Sequence, residues 1–329
     1  MEHVRQNEVL MMIQRLSESH TRGKAWEELT SYAQRLDGAT LPVFLQCLHN
    51  THAQHTVACR RGAVRMYGYL AGLHPELLSP HLPRIAESVV ARLRDKDATR
   101  ELRESCASAF GALGELGRHG DAAALAAVLK PLLPLVTDAN DAHQTGGAIS
   151  LAAILAAAGE LPEHVAQRIA TPLLRTLAHP TGGAHPVLLD AGTALLASSP
   201  LSARAFAAPL LTAALTAVSS PEFATRRAAA DLLKTVATTH PESVAGSASR
   251  ACSALHLLRA DKHRIVREAA LSALSAMRAI VGDQAAAEGG GDRGGSGGRG
   301  GSGKPERRRE SISQVRQQIR QKQQQEPEP

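Results

Sequence analysis

A unit of about 40 to 45 residues recurs along this chain: an apolar helix ending in Leu or Val, a short polar loop, then an alanine-rich helix. Its clearest copies are Leu93-Arg-Asp-Lys-Asp97 leading to Arg103-Glu-Ser-Cys-Ala107, and Leu258-Arg-Ala-Asp-Lys262 leading to Arg267-Glu-Ala-Ala270. The last apolar residue of each first helix falls at Leu48, Leu93, Val136, Leu177, Val218 and Leu258, in steps of 45, 43, 41, 41 and 40. A single helix pair cannot bury its own apolar face, so neighbouring pairs must stack. The period is that of HEAT or armadillo pairs. The expected fold is all-α, a HEAT-repeat α-solenoid of about seven helix pairs over residues 1–283, offering an extended binding surface rather than a closed catalytic cavity.

The interior this implies is unusual. The chain is 43% apolar but only 2% aromatic, so leucine, valine, isoleucine and many alanines must fill it. Small side chains let helices approach closely, and alanine has the best helix propensity. Strand signals, β-branched and aromatic residues in alternation, are missing. Cys47, Cys59, Cys106 and Cys252 form no C-x-x-C pair and read as reduced core residues of an intracellular protein. No secretory signal is visible at Met1-Glu-His-Val-Arg5. The longest apolar stretch, Ala148 to Ala158, falls short of the ~18 residues that span a bilayer. A soluble cytoplasmic protein without membrane contact is expected.

Amphipathic stripes support the helices: Leu82, Ile85, Val89 and Leu93 in one, Val266, Ala270, Leu274, Met277 and Val281 in another. Most prolines stand where helices start or connect. Pro131 and Pro134 are exceptions, and a kink or a late helix start is expected there. Residues 284–303 become a Gly-rich stretch, expected to be a flexible linker. Residues 304–329 form a basic, Gln-rich tail expected to be disordered. From Lys304 to Lys322 it carries a net charge of +5 on Lys304, Arg307, Arg308, Arg309, Arg316, Arg320 and Lys322. An acidic partner surface would suit it.

In such a stack the loops within each pair line up along one edge. The cations brought together there are Arg60 and Arg61; Lys96, Arg100 and Arg103; Arg226 and Arg227; Lys262, Arg264 and Arg267. The fourth and fifth loops, Asn140-Asp-Ala-His143 and Pro180-Thr-Gly-Gly-Ala-His185, carry no Lys or Arg. The edge is therefore basic at both ends and nearly neutral between. The competing role is structural, with arginines such as Arg103 and Arg267 paired to loop aspartates such as Asp95 and Asp261. Arg60, Lys96, Lys262 and Arg264 read instead as loop tips, so reversing the charge of Arg60, Lys96, Arg226 and Lys262 together is expected to leave the fold intact.

Signals for chemistry are poor. His49, His52 and His55 lack a nearby Cys or carboxylate partner for a metal. Gly111, Gly114 and Gly117 sit in an alanine-rich helix without the preceding strand a nucleotide fingerprint needs, so helix packing or a helix end explains them better. No P-loop and no Ser/His/Asp order is present. Neither an enzyme nor a cofactor is expected.

Five segments carry a more specific resemblance: Pro42-Val-Phe-Leu-Gln-Cys-Leu48, His74-Pro-Glu-Leu-Leu-Ser-Pro-His-Leu-Pro83, Arg92-Leu-Arg-Asp-Lys-Asp97, Ala224-Thr-Arg-Arg-Ala-Ala-Ala-Asp-Leu-Leu233 and Ala260-Asp-Lys-His-Arg-Ile-Val-Arg267. In register to about residue 283, they resemble the HEAT region of the Tortifolia/Spiral family of plant microtubule-associated proteins. The resemblance implies binding to tubulin and microtubules, a role in organising cortical arrays, and kinship to TOG domains, whose intra-repeat loops contact tubulin. The ten ridge cations become candidate tubulin contacts, the tail cations a second contact, and the cytoskeleton the expected location. Two other classes compete. One is a HEAT scaffold for another protein assembly, with the tail as a contact for a further partner. The other is RNA binding through Arg293-Gly-Gly295 and Arg299-Gly-Gly301, a weak signal without aromatic residues. Within Arg307-Arg-Arg-Glu-Ser311, Ser311 resembles a site for basophilic kinases, where phosphate would oppose the cluster's charge.

Overall fold

The computed structural model describes residues 2–118, 122–179 and 182–288. Met1–Ala286 is one compact unit, and among its described residues every regular element is helical. Seven helix pairs are found: α1 (Glu2–Arg15) with α2 (Arg22–Ala33), α3 (Leu41–His49) with α4 (Val57–Leu73), and, after a single-turn helix α5 (Pro75–Leu78), α6 (Leu82–Leu93) with α7 (Arg100–Arg118). They continue with α8 (Ala122–Val136) and α9 (Asp141–Ala158), α10 (Glu163–Ala178) and α11 (His185–Ser198), and α12 (Ala207–Ala217) and α13 (Phe223–Thr239). A second single turn, α14 (Pro241–Val244), precedes α15 (Ala248–Leu258) and α16 (Arg264–Glu288).

Second helices α4, α7, α9, α11 and α13 stack on one another, and first helices α6, α8, α10 and α12 make a second, more loosely joined layer. One apolar core runs between the layers from Val9 to Ile280. All six marker residues are buried in it, each leucine contributing roughly 1.5–3 kcal/mol relative to exposure.

Close packing of the second helices depends on small residues. A Cβ built on Gly114 of α7 would stand 2.9 Å from the Ile154 carbonyl oxygen and 3.1 Å from its Cα, and one on Gly111 would meet Ala153 at 3.6 Å. Helix packing thus accounts for both glycines; Gly117 has no described side-chain environment. Gly114→Ala is expected to lower the thermal midpoint. Overpacking against backbone costs about 1–3 kcal/mol, more than the ~1 kcal/mol alanine's helix propensity returns. Gly72→Ala, with nothing within 4 Å of the new Cβ, should raise the midpoint in the same assay.

Two expectations need correction. Helix α8 starts at Ala122 and contains both Pro131 and Pro134, so of the two alternatives expected there the late start does not occur. The carbonyls they leave without an N–H partner belong to Ala127 and Lys130, half-buried and exposed respectively, where water can serve them. Helix α16 runs on to Glu288, into residues assigned above to the linker; Gln284-Ala-Ala-Ala-Glu288 is made of strong helix formers. The glycine-rich stretch beyond it, and the tail with its candidate contacts and Ser311, lie outside the described residues.

Candidate functional site: the clasped loop edge

The fourth residue of a second helix recurs as a long polar side chain: Arg60 in α4, Arg103 in α7, Gln144 in α9, Arg226 in α13 and Arg267 in α16. From the first turn such a side chain can fold back over the loop that delivers its helix. Gln144 donates to the Val136 and Asp138 carbonyls at 3.1 and 3.3 Å, Arg103 to Ala98 at 2.8 Å, and Arg267 to Asp261 and Lys262 at 2.8 and 3.2 Å. These bonds occupy carbonyls that helix ends and loops leave without partners.

Arg60 and Arg226 also reach across to the next pair. Arg60, 1% exposed, donates from Nη1 to Asp95 at 2.5 Å and Asp97 at 2.8 Å, and pairs through Nη2 with the other Asp97 oxygen. Arg226 donates from Nε to Asp261 at 2.6 Å and from Nη1 to the Ser220 and Pro221 carbonyls at 2.9 and 2.8 Å. Hydrogen bonds from Arg60 hold the Asp97 carboxyl below the usual carboxylate range, and those from Arg226 do the same to Asp261. Arg92 returns the link between pairs two and three by donating to the Thr51 carbonyl at 2.7 Å. The loops therefore meet along one edge.

This geometry revises two sequence readings. Arg60 is a buried clasp rather than a loop tip, and Asp95 and Asp261 are taken by arginines of the preceding pair rather than by Arg103 and Arg267. Reversing Arg60 and Arg226 together with Lys96 and Lys262 would therefore break the stack as well as any contact. Arg227 is also engaged, with Asp190 at 2.7 Å and Asp231 at 2.8 Å, and burial raises the Asp231 pKa. Arg61 is half-buried on α4.

What faces outward is a smaller set. Lys96 and Lys262 are exposed. Arg100 and Arg264, with side chains 83% and 82% exposed, pair with Glu104 and Glu268 one turn on, each at 2.7 Å; such exposed pairs contribute ~0.3–0.5 kcal/mol. Arg94 and Arg259, at the C-caps of α6 and α15, are exposed on the same edge and were missed, although each immediately follows a marker leucine.

Elsewhere, His49 Nδ1 sits 2.6 Å from Ser88 Oγ and 2.8 Å from the Tyr67 hydroxyl. Burial lowers its pKa to about 4, which keeps it a neutral hydrogen-bonding partner. His52 and His55 meet edge to face at 5.4 Å, and no metal-ligand cluster occurs among the described residues. Trp26 lies at the rim of the core, with Arg65 over its ring at 4.3 Å. Cys47, Cys59 and Cys106 are buried and Cys252 half-buried, all unbridged. No helix among the described residues is long and apolar enough to cross a membrane.

Seven stacked helix pairs with a clasped loop edge define a HEAT-type α-solenoid. The TORTIFOLIA1 N-terminal model matches residues 4–279, and the chain belongs to that family. Among its relatives in Arabidopsis thaliana, TORTIFOLIA1-like protein 4 is 28% identical over 280 residues, covering 84% of this chain and 44% of the relative. TORTIFOLIA1-like protein 5 is 27% identical over 84% of this chain and 55% of its own length, and the microtubule-associated protein TORTIFOLIA1 is 24% identical over 83% and 32%. The chain thus spans about a third to a half of the length of these relatives. Among solved structures, Kap121p bound to RanGTP superposes with a TM-score of 0.59 at 13% identity, over 84% of this chain and 31% of that one. A Kap121p mutant gives 0.59 at 15% identity, over 82% and 29%. These share the fold.

Proposed function

We propose that this chain binds microtubules through the loop edge of its solenoid, where Lys96, Arg100, Lys262 and Arg264 face the acidic surface of tubulin. The observation that carries the reading is their exposure on an edge that Arg60, Arg103, Arg226 and Arg267 hold together, in a chain whose family includes a microtubule-associated protein. Neighbouring clasps hold the loops before any partner arrives, which lowers the entropy lost on binding. The tail cations from Lys304 to Lys322 add a second, electrostatic contact whose strength fades with salt, and phosphate at Ser311 would weaken it. The protein acts by binding and organising, without catalysis, on microtubules in the cytoplasm.

Co-sedimentation of the full chain with assembled microtubules, with RNA as competitor, tests this. The chain should pellet with the polymer and resist displacement by RNA. Removing residues 304–329 should weaken binding several-fold at low salt and little at high salt. A chain that stays in the supernatant, or that RNA strips from the polymer, sinks the reading; equal loss at both salts removes the tail from it.

A further inference from the structure

Four Ser-Pro or Thr-Pro steps occur in the chain: Ser79-Pro80, Thr171-Pro172, Ser199-Pro200 and Ser220-Pro221. Each is the minimal acceptor of a proline-directed protein kinase, whose cleft takes the acceptor hydroxyl in an extended stretch of chain. The fold separates them. Thr171 and Pro172 lie inside α10, where the Thr171 hydroxyl donates to the Gln167 carbonyl at 2.8 Å. Ser199 is fully buried, its hydroxyl accepting from the Leu161 N–H at 3.0 Å and donating to the Gly159 carbonyl at 3.2 Å. Ser79 has helical backbone angles at the end of α5 and opens a short 3-10 turn. Ser220 alone of the four lies in neither a helix nor a turn. Pro221 biases it toward extended backbone, and Glu222 continues the extended run with φ −82° and ψ 125° before α13 begins at Phe223. Ser219, Pro221 and Glu222 are exposed and Ser220 is half-buried.

The loop that carries Ser220 is fixed at one basic end of the edge. Arg226 holds the Ser220 and Pro221 carbonyls through Nη1 and Asp261 through Nε, so a single guanidinium spans the loops of pairs six and seven. Beside it Phe223 stacks on His263, ring centres 4.3 Å and planes 15° apart, and the exposed Lys262 and Arg264 flank that histidine. Ser220 Oγ accepts a long bond, 3.3 Å, from the Glu222 N–H. Two carboxylates face the same spot, and both are engaged: Asp261 by Arg226, and Glu222 by the Thr225 hydroxyl at 2.7 Å.

We propose that Ser220 is the acceptor of a proline-directed kinase and that its phosphate weakens the hold of the loop edge on microtubules. In the transfer, Ser220 Oγ bonds to the γ-phosphorus of ATP as the bond from that phosphorus to the β,γ-bridging oxygen breaks; ADP leaves, and the hydroxyl proton passes to the catalytic Asp of the kinase. The product sets a charge of about −1.5 to −2 beside Lys262 and Arg264, enough to cancel both. Arg226 Nη2, which meets no acceptor among the described residues, can donate to the phosphate while Nε keeps Asp261, so the clasp survives. Lys96 and Arg100, at the other end of the edge, are untouched. No serine of the tail precedes a proline, so the same kinase leaves Ser311 alone. The effect on binding rests on the microtubule reading; the acceptor does not.

The full chain, treated with a recombinant proline-directed kinase and magnesium ATP, should take up phosphate at Ser220, located by peptide mass mapping, with Ser79, Thr171 and Ser199 unmodified. Ser220→Ala and Pro221→Ala should each abolish the uptake. The phosphorylated chain should pellet with microtubules about threefold or more less tightly at low salt, with a smaller difference at high salt, and should melt like the untreated chain; kinase-treated Ser220→Ala should bind like the parent. No uptake at Ser220, or equal uptake at Thr171, would overturn the acceptor. Parent-like binding by the phosphorylated chain, or a loss that comes with a lower thermal midpoint, would overturn the electrostatic effect. Failure of the unaltered chain to pellet would overturn the microtubule reading and that effect together, whereas the mass map still decides the acceptor.

Discussion

Replacing Arg60 by methionine is expected to destabilise the solenoid by about 3 kcal/mol, because Asp95 would be left 7% exposed and stripped of its main cation. The figure stands at the lower end for a broken buried ion pair because Asp97, 58% exposed, can turn to water, and because Arg92 Nε lies 3.7 Å from Asp95. With roughly 2–4 °C per kcal/mol for a domain of this size, the thermal midpoint should fall by about 6 to 12 °C. The double variant Arg60→Met, Asp95→Leu should recover most of the loss, since a buried ion pair exchanged whole for apolar groups costs little. Stacked pairs can open locally, so amide exchange in α4 and α7 should accelerate more than in α11 and α13. Unchanged melting and exchange in the single variant would mean that Arg60 holds nothing together.

The second large effect belongs to the surface. Lys96→Glu, Arg100→Glu, Lys262→Glu and Arg264→Glu, introduced together, should weaken microtubule binding at least tenfold at low ionic strength, with a smaller difference at high salt. Helicity and melting should change little. Two of the new glutamates face Glu104 and Glu268 one turn away, a repulsion of only ~0.2–0.5 kcal/mol each. Arg60 and Arg226 are deliberately left alone, so lost binding cannot be blamed on a broken clasp. Parent-like affinity in this variant would show that the edge is not the contact.

The repeat was legible because it rests on local rules: apolar periodicity, proline placement and loop composition all mark the same boundaries, and pairs two to seven fall where the six marker residues put them. The roles of the arginines were not. Arg60, Arg103, Arg226 and Arg267 share one position in the helix, so nothing local separates a clasp from a loop cap. An aspartate 35 residues downstream is a tempting signal, since it links Arg60 to Asp95 and Arg226 to Asp261. It also links Arg103 to Asp138, which instead accepts from the Asn140 N–H at 2.9 Å and meets His143 at 3.2 Å. Only the distance between neighbouring loops decides the matter, and that distance is a product of the whole stack. The stacking of Phe223 on His263 is hidden in the sequence for the same reason: forty residues apart in the chain, their rings are in contact only once pairs six and seven are stacked.

The two clasps have a consequence for how the chain can change length. An arginine held on one helix and an aspartate held in the following loop fix the number of residues between them, since each residue added within a helix advances it by ~1.5 Å and turns it by ~100°. Insertions or deletions between Arg60 and Asp95, or between Arg226 and Asp261, would carry the carboxylate out of reach. Length variation among homologues, and grafted tags or reporter domains, should therefore be tolerated outside these two intervals, which act as fixed rulers within an otherwise extensible array.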